Sequence, residues 1–304
     1  DLTEMGFYLA RCSQSNYART RSSLSSSLNL TYIPALNPHY HSGNNTIAGF
    51  DKLIKHSAIR KHLESLGYTT IAFETGFYWS EIHDAGIYLA PSRPPDGQPA
   101  VHNPSDFEIM LLDTSLGMLL LEGELPFPWQ QQFSKEYNHR NRVLFTLDQL
   151  PALPAVPGPK FVFAHIVSPH RPLVFGPNGE MAGENQRFGY VDQVAYLNQR
   201  VIPILREIIE ASSPAPIILL QSDHAAPFIS PEDRMTILNA YLLPNGGDAN
   251  LYPTISPVNS FRVVFNHYFG GGLDLLEDVS YYSKATEPFD YTVIPNTRPG
   301  CKNQ

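Results

Sequence analysis

Three short segments of the chain are apolar at nearly every position, and each has a helical pattern beside it. They are residues 68–73, 160–166 and 216–221. Strands that are apolar on both faces are typical of a parallel sheet covered by helices on both sides. Amphipathic segments at residues 51–66 and 190–211 supply such helices, because their apolar residues recur every three or four positions. The sequence therefore predicts an α/β fold with a mostly parallel central sheet and helices on both faces.

The length and composition fit a folded domain rather than a disordered chain. The 304 residues are 42% hydrophobic, which is enough for a full core. We expect one catalytic domain over residues 1–304, closed by its C-terminal segment, residues 245–304. The net charge of −8, without a block of basic residues, argues against a nucleic-acid partner. The two cysteines, Cys12 and Cys301, either form a disulfide or remain free thiols.

A hydroxyl-rich segment, residues 15–29, follows an apolar run at residues 6–10. A helix that begins in this segment places a hydroxyl beside backbone N–H groups that have no partner inside the helix. Such a position suits an anion and also a nucleophile that attacks one. The segment alone is equally explained as a serine-rich loop or helix cap without chemistry.

Polar side chains accompany two of the three apolar segments. Asp223 and His224 come directly after the third one, and a carboxylate with an imidazole suits zinc or manganese. His165 lies in the second segment, and His170 and Arg171 follow it between two prolines, where they can grip an oxyanion. Each residue taken singly is also explained as a capping, core or surface residue. Because ligands bind at the C-terminal ends of parallel strands, we expect these groups to meet at one sheet edge.

Together these residues predict a metal-dependent centre in which Thr20 is the nucleophile. A metal held by Asp223 and His224 depresses the pKa of a bound hydroxyl and polarises the ester. A histidine or arginine then stabilises the charge on the phosphoryl or sulfuryl group that is transferred.

With these residues in view, the sequence resembles the alkaline phosphatase superfamily. The most similar branch is the sulfatase-like one that includes lipoteichoic acid synthases and phosphoethanolamine transferases. Residues 15–23 are similar to the nucleophile segment of that branch, whose threonine matches Thr20. Residues 163–172 are similar to the strand and loop that contact substrate, with His170 as the matching histidine. The metal motif matches at residues 222–224.

The resemblance covers about residues 6–241 and implies a sulfatase-like fold with one divalent metal ion. Zinc or manganese is expected, with magnesium as the alternative. The implied metal ligands are Thr20, Asp223 and His224. The implied substrate-binding residues are His170, Arg171, His165 and Asn16.

The sequence also departs from the family pattern. The family's first metal ligand is an Asp or Glu that ends the first strand, and nothing before Thr20 has that pattern. We therefore expect that ligand and strand to precede residue 1, and residues 1–304 alone to be weakly active or inactive. Residues 20–24 lack the sulfatase signature, which argues against formylglycine chemistry. Alanine instead of glycine follows His224, which favours a single metal.

These expectations describe an enzyme that hydrolyses or transfers phosphate esters through Thr20. Its substrates would be esters of lipid head groups or glycans at the extracytoplasmic face of a membrane, with a tether upstream of residue 1. Two alternatives remain open. One is a sulfate ester hydrolase without formylglycine, and the other is a catalytically inactive sulfatase-like binding or scaffold domain.

Overall fold

The structure is a computed structural model that describes residues 1–92, 110–111, 114, 134–181, 187–226 and 229–301. The described α-helices are α1 (Thr20–Leu28), α2 (Ile33–Leu36), α3 (Phe50–Lys55), α4 (Ala58–Ser65), α5 (Lys135–Gln149), α6 (Tyr190–Ala211), α7 (Pro231–Arg234) and α8 (Pro257–Phe269). The described strands are β1 (Tyr8–Leu9), β2 (Thr69–Phe73), β3 (Ile87–Leu89), β4 (Lys160–Phe163), β5 (Ile218–Gln221), β6 (Asn239–Leu242), β7 (Tyr281–Tyr282) and β8 (Thr292–Val293). Short 3₁₀ helices lie at Tyr78–Ser80, Leu150–Ala155 and Gly247–Asn250.

The chain divides into two compact units. Unit 1 comprises Asp1–Tyr68 and Ala211–Gln304, and unit 2 comprises Thr69–Glu210. Our expectation of one catalytic domain over residues 1–304 stays a prediction. Within the described ranges, no helix is both long and apolar enough to cross a membrane.

The predicted central sheet is only partly correct. In unit 2, β2 pairs in parallel with β3 and β4, and Ile71 lies opposite both Ile87 and Val162. In unit 1, β5 pairs antiparallel with β6, which pairs antiparallel with β1. The apolar segment 216–221 therefore lies in an antiparallel sheet, because apolarity on both faces indicates burial and not strand direction. The described residues confirm a mixed helix and strand fold with a small parallel sheet, but not one mostly parallel sheet.

Two helix predictions differ in outcome. The helix predicted over residues 190–211 is confirmed as α6, with the same bounds. The helix predicted over residues 51–66 is instead two helices, because the chain turns at His56 and the Ser57 hydroxyl caps α4 by accepting from the Arg60 amide. The apolar residues within positions 107–121 also predict a helix, but most of that segment lies outside the described residues.

Unit 1 is built around α1 and the antiparallel sheet. Helix α1 packs against α3 and α8, and its serines at positions 22, 23 and 25–27 are buried. Small side chains let neighbouring helices approach closely, which explains how so polar a helix is buried. A disulfide joins Cys12 to Cys301 and so settles the alternative that the sequence left open.

Unit 2 places α5 over the parallel sheet. Val143 and Leu147 on α5 pack with Phe175 and Tyr196, whose rings stack 4.6 Å apart between centroids. A second cluster on the sheet side includes Ile71. The helix thus buries one face in the core and turns another toward the loops that follow β2 and β4.

Candidate functional sites

Thr20 is the first residue of α1, as the hydroxyl-rich segment predicts. The preceding Arg19 is the N-cap residue, makes no side-chain cap, and the first turn contains no acidic residue. The first N–H groups of the helix are therefore not satisfied by a cap from Arg19. Thr20 itself is half-buried. The helix N-terminus at Thr20 consequently favours negative charge.

The loop after β5 brings Asp223 and His224 to Thr20. The Thr20 Oγ1 lies 3.2 Å from His224 Nε2. Ser23, one turn further along α1, donates its hydroxyl to the Asp223 carbonyl at 2.8 Å. The Ala225 amide donates to the Arg234 carbonyl at 2.9 Å, which fixes the other side of the loop. All three residues predicted as metal ligands are thus brought together within unit 1.

The hydrogen bonds of His224 define its tautomer. Its Nδ1 lies 2.7 Å from the Ala225 carbonyl oxygen, which can only accept, so Nδ1 carries a proton. In the neutral ring, Nε2 then has a lone pair and accepts from the Thr20 hydroxyl. This is the geometry of a hydroxyl nucleophile and a base.

The same atoms fit a divalent cation. Asp223 Oδ2 lies 3.5 Å from His224 Nε2, while Asp223 Oδ1 accepts from the His224 amide at 3.0 Å. A carboxylate oxygen and an imidazole lone pair that face each other repel unless a cation or a proton lies between them. Two ligand atoms that each lie about 2.0–2.1 Å from a tetrahedral zinc ion are about 3.3 Å apart. The distances from His224 Nε2 to Thr20 Oγ1 and to Asp223 Oδ2, which are 3.2 and 3.5 Å, are close to that value. The donor set therefore fits the expected metal.

The described residues contain no group of three or more His, Cys, Asp and Glu side chains suited to a metal. Asp223 and His224 are joined instead by the oxygen of Thr20. The set therefore offers two oxygen ligands and one nitrogen ligand to a cation.

Three arginines that the sequence analysis missed, Arg19, Arg21 and Arg234, interact electrostatically near the start of α1 and Asp223. Burial and then the charge of Arg19 lower the pKa of both Arg21 and Arg234. The Nε atoms of Arg19 and Arg234 are buried and have no hydrogen-bond partner among the described residues. Like charges held together in this way favour an anion nearby. Arg19 and Arg21 flank Thr20 in the sequence, so the sequence alone shows that they are its neighbours. No sequence pattern points to Arg234.

Asn16 does not fit its predicted contact with substrate, because it is completely buried. Its amide donates to the Ser256 hydroxyl at 2.9 Å and to the Val279 carbonyl at 3.0 Å. Its carbonyl oxygen accepts from the Val258 amide at 2.8 Å. These bonds tie the segment before α1 to the start of α8, which is a structural role.

The other predicted substrate-binding residues lie in unit 2, after β4. The Nδ1 of His165 is 2.7 Å from the Ser80 hydroxyl, and the ring packs edge-on against Phe77. His170 and Arg171 are exposed, and His170 Nδ1 donates to the Arg171 carbonyl at 2.7 Å. His165 is therefore held inside unit 2, while His170 and Arg171 face an opening in its surface.

That opening is a cavity of about 170 Å³, which we call the unit-2 pocket. Its walls are the loops after β2 and β4 and one face of α5. The lining residues are Thr75, Gly76, Phe77, Lys135, Asn138, His139, Arg142, Val167, His170, Arg171 and Pro172. The four lining residues from α5 are spaced at i, i+3, i+4 and i+7, so they lie on one face of the helix. This spacing is the sequence signal that groups them.

The loop after β2 is held in place by Glu81, which is buried. Its Oε1 accepts from the amides of Thr75 and Gly76, at 2.9 and 2.6 Å. Its Oε2 accepts from the Tyr88 hydroxyl, and burial and Glu81 together raise the pKa of Tyr88. The pocket wall at residues 75–77 is thereby fixed by backbone bonds to a charged group.

Comparison with known proteins identifies no relative of this chain. No family model, no curated protein and no solved structure matches the chain. The resemblance to the sulfatase-like branch therefore stays an expectation from the sequence motifs.

Proposed function

We propose that the chain carries the nucleophilic centre of a metal-dependent enzyme that hydrolyses or transfers phosphate esters. The observation that carries this proposal is the 3.2 Å approach of Thr20 Oγ1 to His224 Nε2, beside the Asp223 carboxylate. Thr20 is separated in the chain from the adjacent pair Asp223 and His224 by more than 200 positions, and the residues of these two motifs meet there. A serine-rich cap without chemistry gives no reason for this convergence.

Thr20, Asp223 and His224 would hold the cation. When bound, it would lower the pKa of the Thr20 hydroxyl and offset the charge of the ester. The chain's own residues orient the reaction. Helix α1 aims Thr20 Oγ1 at the ester, and His224 Nε2 accepts its hydrogen bond whenever no cation is bound.

Group transfer then proceeds in two displacements. The Thr20 oxygen loses its proton and forms a bond to phosphorus, while the bond from phosphorus to the leaving oxygen breaks and the leaving oxygen takes up that proton. Water or an acceptor alcohol next attacks the phosphorus and gives its proton to the Thr20 oxygen as the bond between that oxygen and phosphorus breaks. Arg19 and Arg234 supply positive charge for the group in transit.

The proposal includes the expected surroundings. Esters of lipid head groups or glycans are the substrates, and the sulfatase-like fold is the architecture. The disulfide between Cys12 and Cys301 supports an extracytoplasmic location, because such bonds persist in oxidising compartments.

The test is replacement of the nucleophile in the full-length protein, with Thr20→Ser as the matched control that keeps a hydroxyl. Nitrophenyl phosphate, bis-nitrophenyl phosphate and nitrophenyl sulfate are assayed with zinc, manganese and magnesium. We expect Thr20→Ala to lose at least about a thousandfold in kcat, and mass spectrometry to find phosphothreonine at position 20 only in chains that have a threonine there. Undiminished turnover by Thr20→Ala would refute the nucleophile assignment.

The same preparation separates the alternatives. Preferential cleavage of the sulfate ester favours a sulfate ester hydrolase without formylglycine. If the full-length protein binds no divalent ion at micromolar concentration and cleaves none of the esters, the domain is a scaffold. Metal content is measured in Asp223→Asn as well, which we expect to lose the bound ion.

A further inference from the structure

The unit-2 pocket has the charge of an anion site. Lys135, Arg142 and Arg171 line it together with two histidines, and no acidic side chain is among its described lining residues. At about 170 Å³ it is smaller than the 300–1,000 Å³ of ordinary small-molecule sites, so it suits a small group. It lies after β2 and β4, two parallel strands that are hydrogen-bonded to each other, which is where open α/β sheets bind ligands.

Arg142 is held rigidly at the inner wall. Its Nε donates to Glu74 at 2.7 Å, and its side chain is only 12% exposed. Gly76 lies against the guanidinium and has a φ of +68°, so any side chain there would be strained and would collide with Arg142. The guanidinium is thereby placed before any ligand arrives, which reduces the entropy that binding has to overcome.

His139 is the group that most needs a ligand. It is only 7% exposed, and its Nε2 is buried without a hydrogen-bond partner among the described residues. Burial, together with the charges of His170 and Arg142, lowers the pKa of His139 to about 4 against the opposing effect of Glu136. A buried polar atom left unpaired is unfavourable, and an anion in the pocket offers both a partner and a compensating charge.

We propose that the unit-2 pocket binds a tetrahedral oxyanion, a phosphate or sulfate group, between Lys135, His139 and Arg142 of α5 and the His170–Arg171 loop. The α5 residues form the inner wall, and His139 Nε2 bonds the anion. This inference goes beyond the proposed function, because the pocket binds the anion whether or not Thr20 is a nucleophile.

The test follows the ring signals of ¹⁵N-labelled histidines by NMR while inorganic phosphate is added to the full chain. The His139 signals are identified by their loss in His139→Gln. We expect phosphate at millimolar concentration to shift them. Glycerol phosphate is the second probe: binding of both identifies an ester-linked group as an acceptable ligand, and binding of inorganic phosphate alone identifies a free anion.

Substitutions of the pocket residues test which side chains contribute to phosphate affinity. Lys135→Met removes an exposed pocket cation and should weaken phosphate binding about fivefold. Lys61→Met removes an exposed lysine from α4 in unit 1 and should change nothing. His139→Leu should weaken binding at least about tenfold. If it fails to fold, Lys135→Met still decides, because that residue is exposed.

Two results would overturn the inference. One is His139 signals that do not move at saturating phosphate, and the other is an equal phosphate affinity for Lys135→Met and Lys61→Met. The outcome of the phosphate titration is independent of the Thr20 assay, because the ring signals of His224 report separately on the site around Thr20. Phosphate bound at His139 in a protein that shows no Thr20 chemistry supports the pocket and refutes only the proposed function.

Discussion

His139 should make unit 2 sensitive to acid. Its ring is neutral in the folded protein, where burial, His170 and Arg142 lower its pKa from 6.5 to about 4, against the weaker opposing effect of Glu136. The unfolded chain therefore binds more protons than the folded one between these two values. The free energy of unfolding must fall as the pH falls through 6.5 toward 4.

The magnitude follows from the two pKa values. At pH 7 the folded ring is unprotonated and the unfolded ring is about one quarter protonated, whereas at pH 5 the unfolded ring is almost fully protonated and the folded ring is still mostly neutral. The linkage relation gives a loss of about 2 kcal/mol between pH 7 and pH 5 from this one side chain. Other groups titrate in the same range, so the difference between the wild type and His139→Gln isolates the contribution.

The assay is urea unfolding at pH 7 and at pH 5, followed by tryptophan fluorescence. Both tryptophans, Trp79 and Trp129, belong to unit 2, so the signal reports on the unit that contains His139. We expect His139→Gln to lose about 2 kcal/mol less than the wild type over this pH step, and His41→Gln, an exposed control, to behave as the wild type. An equal loss in wild type and His139→Gln would refute the burial argument.

Two further predictions concern unit 1. Replacing both Cys12 and Cys301 by serine opens a loop with a sequence separation of 289, and should lower the free energy of unfolding by about 2–5 kcal/mol; an unchanged denaturation midpoint under oxidising conditions would contradict this. Asn16→Ala leaves the buried amide of Val258 without its acceptor, and should lower the free energy of unfolding by about 3 kcal/mol. We expect the KM for the ester substrates to stay unchanged. A raised KM in a stably folded variant would instead support a contact between Asn16 and substrate.

Some features of the site were predictable because they depend on local sequence. Helix α1 begins within the hydroxyl-rich segment, at Thr20, and α6 has the bounds that its apolar periodicity predicts. Local hydrogen bonding and amphipathic spacing act over a few residues, so a single sequence displays them. The motifs led us to consider Thr20 and His224 together, and Thr20 Oγ1 lies 3.2 Å from His224 Nε2. Their roles in binding a metal stay a prediction.

Other features depend on which strands meet. The antiparallel direction of β5 relative to β6 is set by how the two strands pair. An apolar sequence is compatible with a parallel and with an antiparallel partner. Asn16 lies in the same hydroxyl-rich segment as Thr20, yet its amide turns toward α8. Nothing in the neighbouring residues distinguishes an asparagine that binds substrate from one that anchors the chain.

The sequence by itself determined that a helix begins in the hydroxyl-rich segment, that residues 190–211 form one helix, and which hydroxyl, carboxylate and imidazole to consider together. Only the tertiary structure decided how they are used. It paired Cys12 with Cys301, made β5 antiparallel, and enclosed His139 among cations in the unit-2 pocket. The physical reason is that burial, strand pairing and charge proximity join residues far apart in the chain, whereas periodicity and capping act between near neighbours.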